Sequence, residues 1–274
     1  MSNTAPLVDR DQLSRNRRRA VRMSGDFFLH EEARFEIEDR LEMVTKSFSS
    51  PAIVTGFPAL WQEWFPEAKV VSDEDFLALE ENAHDLVIHA MSLHWANDPV
   101  GQLIQCNRAL KPDGLMIAVF FGDQSLNELR ACLGQAETMI SGGLSPRVLP
   151  MGELRDLGAL LQRASFALPV ADKSVRMVTY PSLKRLASDL RAMGEGNALS
   201  ARHKRAGKKA LFDQAEKLYR THFSDGDRLT ATFDLVFLTG WAPDASQPKP
   251  LMPGSAKMRL SEALKTEEFK LPDG

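Results

Sequence analysis

Two runs with continuous apolar centres, "HDLVIHAM" (84–91) and "LMIAVFF" (115–121), flank the segment "DPVGQLIQCNRAL" and constrain the fold of this chain more than any other feature. A continuous apolar strand, without polar alternation, suits a parallel sheet covered on both faces. Between the runs, Asp98 is placed to cap a helix and Pro99 to take its first position. "KPDG" then reads as a stop and a turn. Strand, helix and strand at this spacing predict a parallel sheet with crossover helices.

The pattern extends in both directions. Ser50-Pro51 breaks the chain before "AIVTG", a short buried strand, and "HEEARFEIEDRLEMV" ahead of it places Ala33, Ile37, Leu41 and Val44 on one helical face. Strands are expected near 52–56, 69–72, 85–91, 115–121, 170–180 and 230–241, the last two forming an antiparallel edge. The second half is otherwise mostly amphipathic helix: "SLNELRACLGQAETMI", "GELRDLGALLQRA", "PSLKRLASDLRAMG" and "AGKKALFDQAEKLYRTHF". The expected organisation is one domain over 1–242, with N-terminal helices over 9–46, a core sheet over 51–121 and cap segments at 125–148 and 181–227. A flexible tail over 243–274 carries a weak helix, "KMRLSEALK".

Composition removes several function classes. A net charge of -3 argues against general nucleic-acid binding. Two cysteines, Cys106 and Cys132, in helical segments fit a reducing compartment rather than a disulfide framework. The longest apolar run is too short to span a bilayer, so no integral membrane segment is expected. No apolar signal core stands at the N-terminus, and the expected location is cytoplasmic. No GxSxG, Walker loop, HExxH or zinc spacing occurs, and the six histidines form no metal-ligand pattern. The cluster "RNRRRAVR" (15–22) reads as the solvated face of a first helix, or as a grip on an acidic partner.

The stretch "MSLHWANDPVGQLIQCNRALKPDGLMIAVFFGDQSLNELR" resembles the class I S-adenosylmethionine-dependent methyltransferases. The resemblance is to the branch holding the malonyl-acyl carrier protein methyltransferase of biotin synthesis and the arginine-hydroxylating assembly factor of respiratory complex I. It continues through "GGLSPRVLPMGELRDLGALLQRASFALPV", "DLRAMGEGNAL" and "LTGWAP", includes "RNRRRA" and "EDRL", and covers residues 10–256. It implies a Rossmann-like α/β fold, a mostly parallel seven-stranded sheet with an antiparallel final strand and a helical cap. The cofactor would lie across the carboxyl ends of the first strands.

The resemblance also locates a candidate site and its departures. The loop after the first strand should offer an acid and alternating glycines, so that backbone can approach the cofactor. Here it reads Val54-Thr55-Gly56-Phe57-Pro58-Ala59-Leu60: the acid is absent, Gly56 is kept, and Phe57 stands where a small residue belongs. Phe57 with Trp61 or Trp64 is expected to narrow the space for the methionine moiety. Only "DEDFLALEENA" follows the second strand, so the family's third strand is expected to be missing or reduced. Asp73 or Asp75 is placed to hold the ribose hydroxyls, or else to cap a short helix. "SLHW" is intact as Ser92, Leu93, His94 and Trp95, over the cofactor's sulfur end. His94 is the candidate catalytic base, or it bonds a loop carbonyl. Ser145, Arg147 and Arg18 are candidate substrate residues, since an arginine clamps a carboxylate bidentately. The alternative for Arg147 is a salt bridge to an acidic helix, such as that bearing Glu153.

The reading is a methyltransferase-like protein with weakened or lost cofactor binding and a binding or assembly role. Its partner would be a complex I subunit or an acyl or protein substrate. The alternative is an active methyltransferase or arginine hydroxylase using S-adenosylmethionine or the same pocket. No metal is expected.

Overall fold

The computed structural model describes residues 6–23, 25–205 and 207–248. The described residues up to Pro243 form one compact unit. The segment "KMRLSEALK" and most of the expected tail lie outside the described residues.

The sheet opens with β1 (Pro51–Thr55), β2 (Lys69–Ser72), β3 (His84–Ala90) and β4 (Leu110–Gly122), all parallel. It is completed by β5 (Ala167–Tyr180), the short β6 (Ser224–Asp225) and β7 (Arg228–Trp241). The strand order is β2-β1-β3-β4-β7-β5, with β6 paired to β7. β7 is antiparallel to both β4 and β5, so it alone of the long strands runs against the sheet. β2 forms the other edge, and residues 73–83 carry neither strand nor helix. The third strand is therefore missing, as expected from the length of that segment. β4 starts earlier than expected because "KPDG" continues the strand through an irregular stretch, with Asp113 at φ 58°.

Alternate strand residues feed opposite faces, as the pleat requires. Ile53, Ile88, Ile117 and Phe121 pack on the side of α2 (Phe28–Glu42), α5 (Asn127–Ser141), α7 (Leu183–Ala192) and α8 (Lys209–His222). Val54, Val87, Met116 and Phe120 pack on the side of α4 (Pro99–Ala109) and α6 (Leu154–Arg163). Asp98 caps α4 as expected, its Oδ1 accepting from the Gly101 amide at 2.8 Å. α5 and α8, which lie in the two segments expected to form a cap, pack against each other.

Two further elements frame the site. α1 (Arg10–Arg22) is capped by Asp9 and turns Leu13 and Ala20 inward. It is tied to the segment after α7: Val8 bridges Leu199, Asn16 Nδ2 donates to Gly196 O at 2.8 Å, and Asp9 pairs with Arg202 at 2.9 Å. α3 (Pro58–Trp64) begins with Pro58 at its first position and buries Trp61 completely.

Candidate functional site

The carboxyl ends of β1 and β2 meet α1 at a cleft of about 700 Å³, lined by Arg10, Arg17, Gly56, Phe57, Asp73 and Glu74 among others. Its chemistry follows from where α1 points. Leu13, Arg17 and Ala20 share one helical face (i, i+4, i+7), so packing Leu13 and Ala20 drives Arg17 into the cleft. The Arg17 guanidinium forks onto Asp73, with Nη1 2.6 Å from Oδ1 and Nη2 2.9 Å from Oδ2. Arg10 adds a 2.6 Å hydrogen bond to the Asp73 carbonyl and longer contacts to its carboxylate. Asp73 is 2% exposed and Arg17's side chain 12%. Burial pushes the Asp73 pKa up, but the charges and hydrogen bonds of Arg17 and Arg10 hold it below the usual carboxylate range.

Gly56 fits this pair rather than an open cradle. A Cβ there would lie 2.2 Å from Arg17 Cζ. Replacing Gly56 with alanine should push the guanidinium off Asp73 and lower stability by about 1.5–3 kcal/mol, the worth of charged hydrogen bonds. In an Arg17→Ala background the same substitution should cost much less, which a double-mutant cycle by denaturant unfolding measures.

Asp73 therefore caps no helix. The backbone of residues 73–77 is held instead by α4: Gln102 Nε2 donates to the Asp73 and Glu74 carbonyls at 3.2 and 3.0 Å, and Gln105 Oε1 accepts from the Leu77 amide at 2.8 Å. These bonds substitute for helical ones, which is why the expected short helix is absent. Phe57 lines the cleft, edge-on to Phe27 at 4.9 Å and to His30 at 5.2 Å. Trp61 does not line it. Trp61 turns into the core, donating from Nε1 to His30 Nδ1 at 3.2 Å, and Trp64 packs against it at 5.3 Å. The expected narrowing by tryptophan is thus corrected: Phe57 and Arg17 do the narrowing, because the first turn of α3 points its indole beneath α2. Gly194, at φ 81°, lets the segment after α7 close on this wall; a Cβ there would meet the Phe57 ring at 2.7 Å.

Both carboxylate oxygens of Asp73 are engaged by Arg17, and the same guanidinium stands over the Gly56 backbone.

"SLHW" forms a 3-10 turn (Leu93–Trp95). Ser92 is fully buried, with Oγ 3.5 Å from His89 Nδ1, and Leu93 packs in the core with α4. His94 bonds no loop carbonyl. Its Nε2 lies 3.1 Å from Glu195 Oε2, which also accepts from Trp95 Nε1 at 2.8 Å, and His94 Nδ1 is buried without a partner. Burial raises the Glu195 pKa, but His94 and Trp95, with the charge of Arg17, hold it below the ordinary range. Glu195 and Trp95 face a second cavity of about 260 Å³ under the cap, whose apolar wall includes Phe121, Leu129, Leu133 and Phe233.

Arg147 lines that same cavity and pairs with Glu137, not with Glu153: Nη2 lies 2.6 Å from Glu137 Oε1, and Ser145 Oγ donates to the same carboxylate at 2.8 Å. The Arg147 hydrogen bond and those of Ser145 hold Glu137 down to about 2. Arg18 points outward from α1, donating to Ser14 Oγ at 3.2 Å, on the rim of the first cleft. The structure thus separates the candidates. Gly56, Phe57, Asp73 and Arg18 belong to the first cleft, Trp95 and Arg147 to the cap cavity, and His94 bridges towards it through Glu195. Glu195 and the inward role of Arg17 were missed from sequence. Arg17 had a signal in its i, i+4 spacing from Leu13; Glu195 sits in "GEGN" with no periodicity to betray it. Among the described residues, no three His, Cys, Asp or Glu side chains cluster as a metal site.

A β2-β1-β3-β4-β7-β5 order with a lone antiparallel β7, and a glycine turn after β1 opposite an acid after β2, define a class: the chain belongs to the class I S-adenosylmethionine-dependent methyltransferase family. Within it, the chain stands close to the arginine-hydroxylase and malonyl-acyl carrier protein methyltransferase branches. The family model described as a methyltransferase domain matches residues 53–118. The mitochondrial arginine-hydroxylase NDUFAF5 of Homo sapiens is 38% identical over 76% of this chain and 60% of its own length. The malonyl-[acyl-carrier protein] O-methyltransferase of Methylovorus is 31% identical over 71% of this chain and 64% of its own. The chain therefore spans less than two thirds of these relatives. Among solved structures, a protein described as a methyltransferase from Bacillus halodurans covers 74% of this chain at 12% identity, with a TM-score of 0.47. No helix among the described residues is long and apolar enough to cross a membrane.

Proposed function

We propose that this protein keeps the methyltransferase fold as a scaffold and works through its cap, as a binding or assembly protein, with the cofactor cleft closed by its own Arg17. The observation that carries this is the bidentate Arg17–Asp73 pair lying over Gly56. A ligand entering there would have to displace a partly buried charge-assisted pair. The relatives named as arginine-hydroxylases, with the resemblance to the complex I assembly factor, supply the context: a protein substrate or a complex I subunit is the partner class that the cap would engage. Calorimetric titration of the protein with S-adenosylmethionine should show no binding in the micromolar range. Binding in that range would overturn the reading.

One observation favours a second, catalytic reading. Glu195 is a buried carboxylate facing an apolar cavity, with His94 behind it, and an arginine side chain of a protein substrate would pair with it there. Under this reading, Glu195→Gln abolishes modification of a candidate arginine peptide, followed by mass spectrometry, without loss of fold. Under the binding reading no mass change accumulates with either protein.

A further inference from the structure

The outer end of the cap carries an exposed apolar patch, of which Phe212 also lines the cavity beneath. The last turn of α5 and the loop after it, residues 138–144, are exposed throughout. They present Met139 at 61% exposure, Ile140, and Leu144 at 75%. Phe212 of α8 adds its ring at 41%. α5, the loop after it and α8 meet here: Gln214 of α8 reaches Met139 Sδ at 3.9 Å, Leu144 lies against Gly134 of α5, and Phe212 lies beside Gly207, close to Arg147. Flanking them is the basic run "RHKRAGKK", of which Lys204, Arg205, Lys208 and Lys209 are exposed. Asp213 is the exposed acid within the same turn.

We propose that this end of the cap docks peripherally on an anionic lipid bilayer. An exposed apolar patch of this kind marks an interaction surface. Met139 and Leu144 are more than half exposed, so a fluid acyl phase can bury them. The ring of lysine and arginine supplies the attraction to anionic headgroups that interfacial docking combines with apolar insertion. The proposal is independent of whether the cofactor cleft is open.

The test is co-sedimentation of the full chain with vesicles. Vesicles of phosphatidylglycerol and phosphatidylcholine should carry the protein down, and vesicles of phosphatidylcholine alone should not. Lys208→Ser with Lys209→Ser should weaken partition roughly 30-fold, at about a factor of five per lost charge. Leu144→Ser should weaken it about tenfold. Both variants change exposed side chains, so thermal melting should match the wild type. Phe76→Ser is the control: Phe76 is 89% exposed, but beside Glu74 and Asp75, away from this patch, and partition should not change. No partition onto anionic vesicles, equal partition onto neutral ones, or equal loss with Phe76→Ser would each overturn the proposal.

Discussion

Asp73→Ala should destabilise the protein by about 3–5 kcal/mol, the range for stripping one partner from a buried ion pair. The substitution leaves Arg17 and Arg10 converging on a space without a carboxylate, both largely out of water. It also removes the acceptor that fixes α1 against the sheet. Arg17→Ala alone should cost less, because Arg10 still faces Asp73. The double variant should recover part of the Asp73→Ala loss, since the orphaned charge is gone. Urea unfolding measures all three. The pair also has a pH signature. Asp73's folded pKa is depressed, so its contribution is present above the ordinary value of 3.8 and is lost as pH falls below it.

A second large effect lies at milder acidity. Burial pushes the His30 pKa down to about 3 and that of His89 down to about 4, from an ordinary 6.5. His30 accepts from Trp61 at Nδ1 and His89 lies 2.9 Å from Gln102 Oε1, so each is held neutral inside the fold. Below pH 6.5 the unfolded chain takes up protons that the folded chain refuses. Stability therefore rises with pH across this window and falls as pH drops through it. At about pH 5 each histidine should cost roughly 2 kcal/mol relative to neutral pH, about 4 kcal/mol together. The urea midpoint should shift down accordingly, and His89→Gln should roughly halve the slope. A midpoint that does not move between neutral pH and about pH 5 would show that these rings are not buried as described.

The sheet was legible in the sequence because its strands are continuous apolar runs bounded by Ser50-Pro51, Asp98-Pro99 and "KPDG". The missing third strand was legible from length alone: eleven residues cannot hold a helix and a strand between β2 and β3. The site was less legible, for a physical reason. Its contacts join residues far apart in the chain: Arg17 to Asp73, His94 to Glu195, Trp61 to His30. Sequence spacing informs on neighbours along one helix or strand. It placed Gly56 and Asp73 at adjacent strand ends but could not say that an arginine from α1 would lie between them. The arginine cluster was read as a solvated face, which holds for Arg15, Arg18 and Arg19 and fails for Arg17, the one on the face of Leu13 and Ala20.

The central claim is that Arg17 closes the cofactor cleft. It is tested most directly by titrating wild-type and Arg17→Ala proteins side by side with S-adenosylmethionine in a calorimeter. Removing the guanidinium uncovers the Gly56 backbone and frees one side of the Asp73 carboxylate. The account predicts weak or undetectable binding to the wild type and a gain of about tenfold to a hundredfold in the variant, the equivalent of one to two charged hydrogen bonds. Micromolar binding to the wild type that Arg17→Ala leaves unchanged or weakens would contradict it.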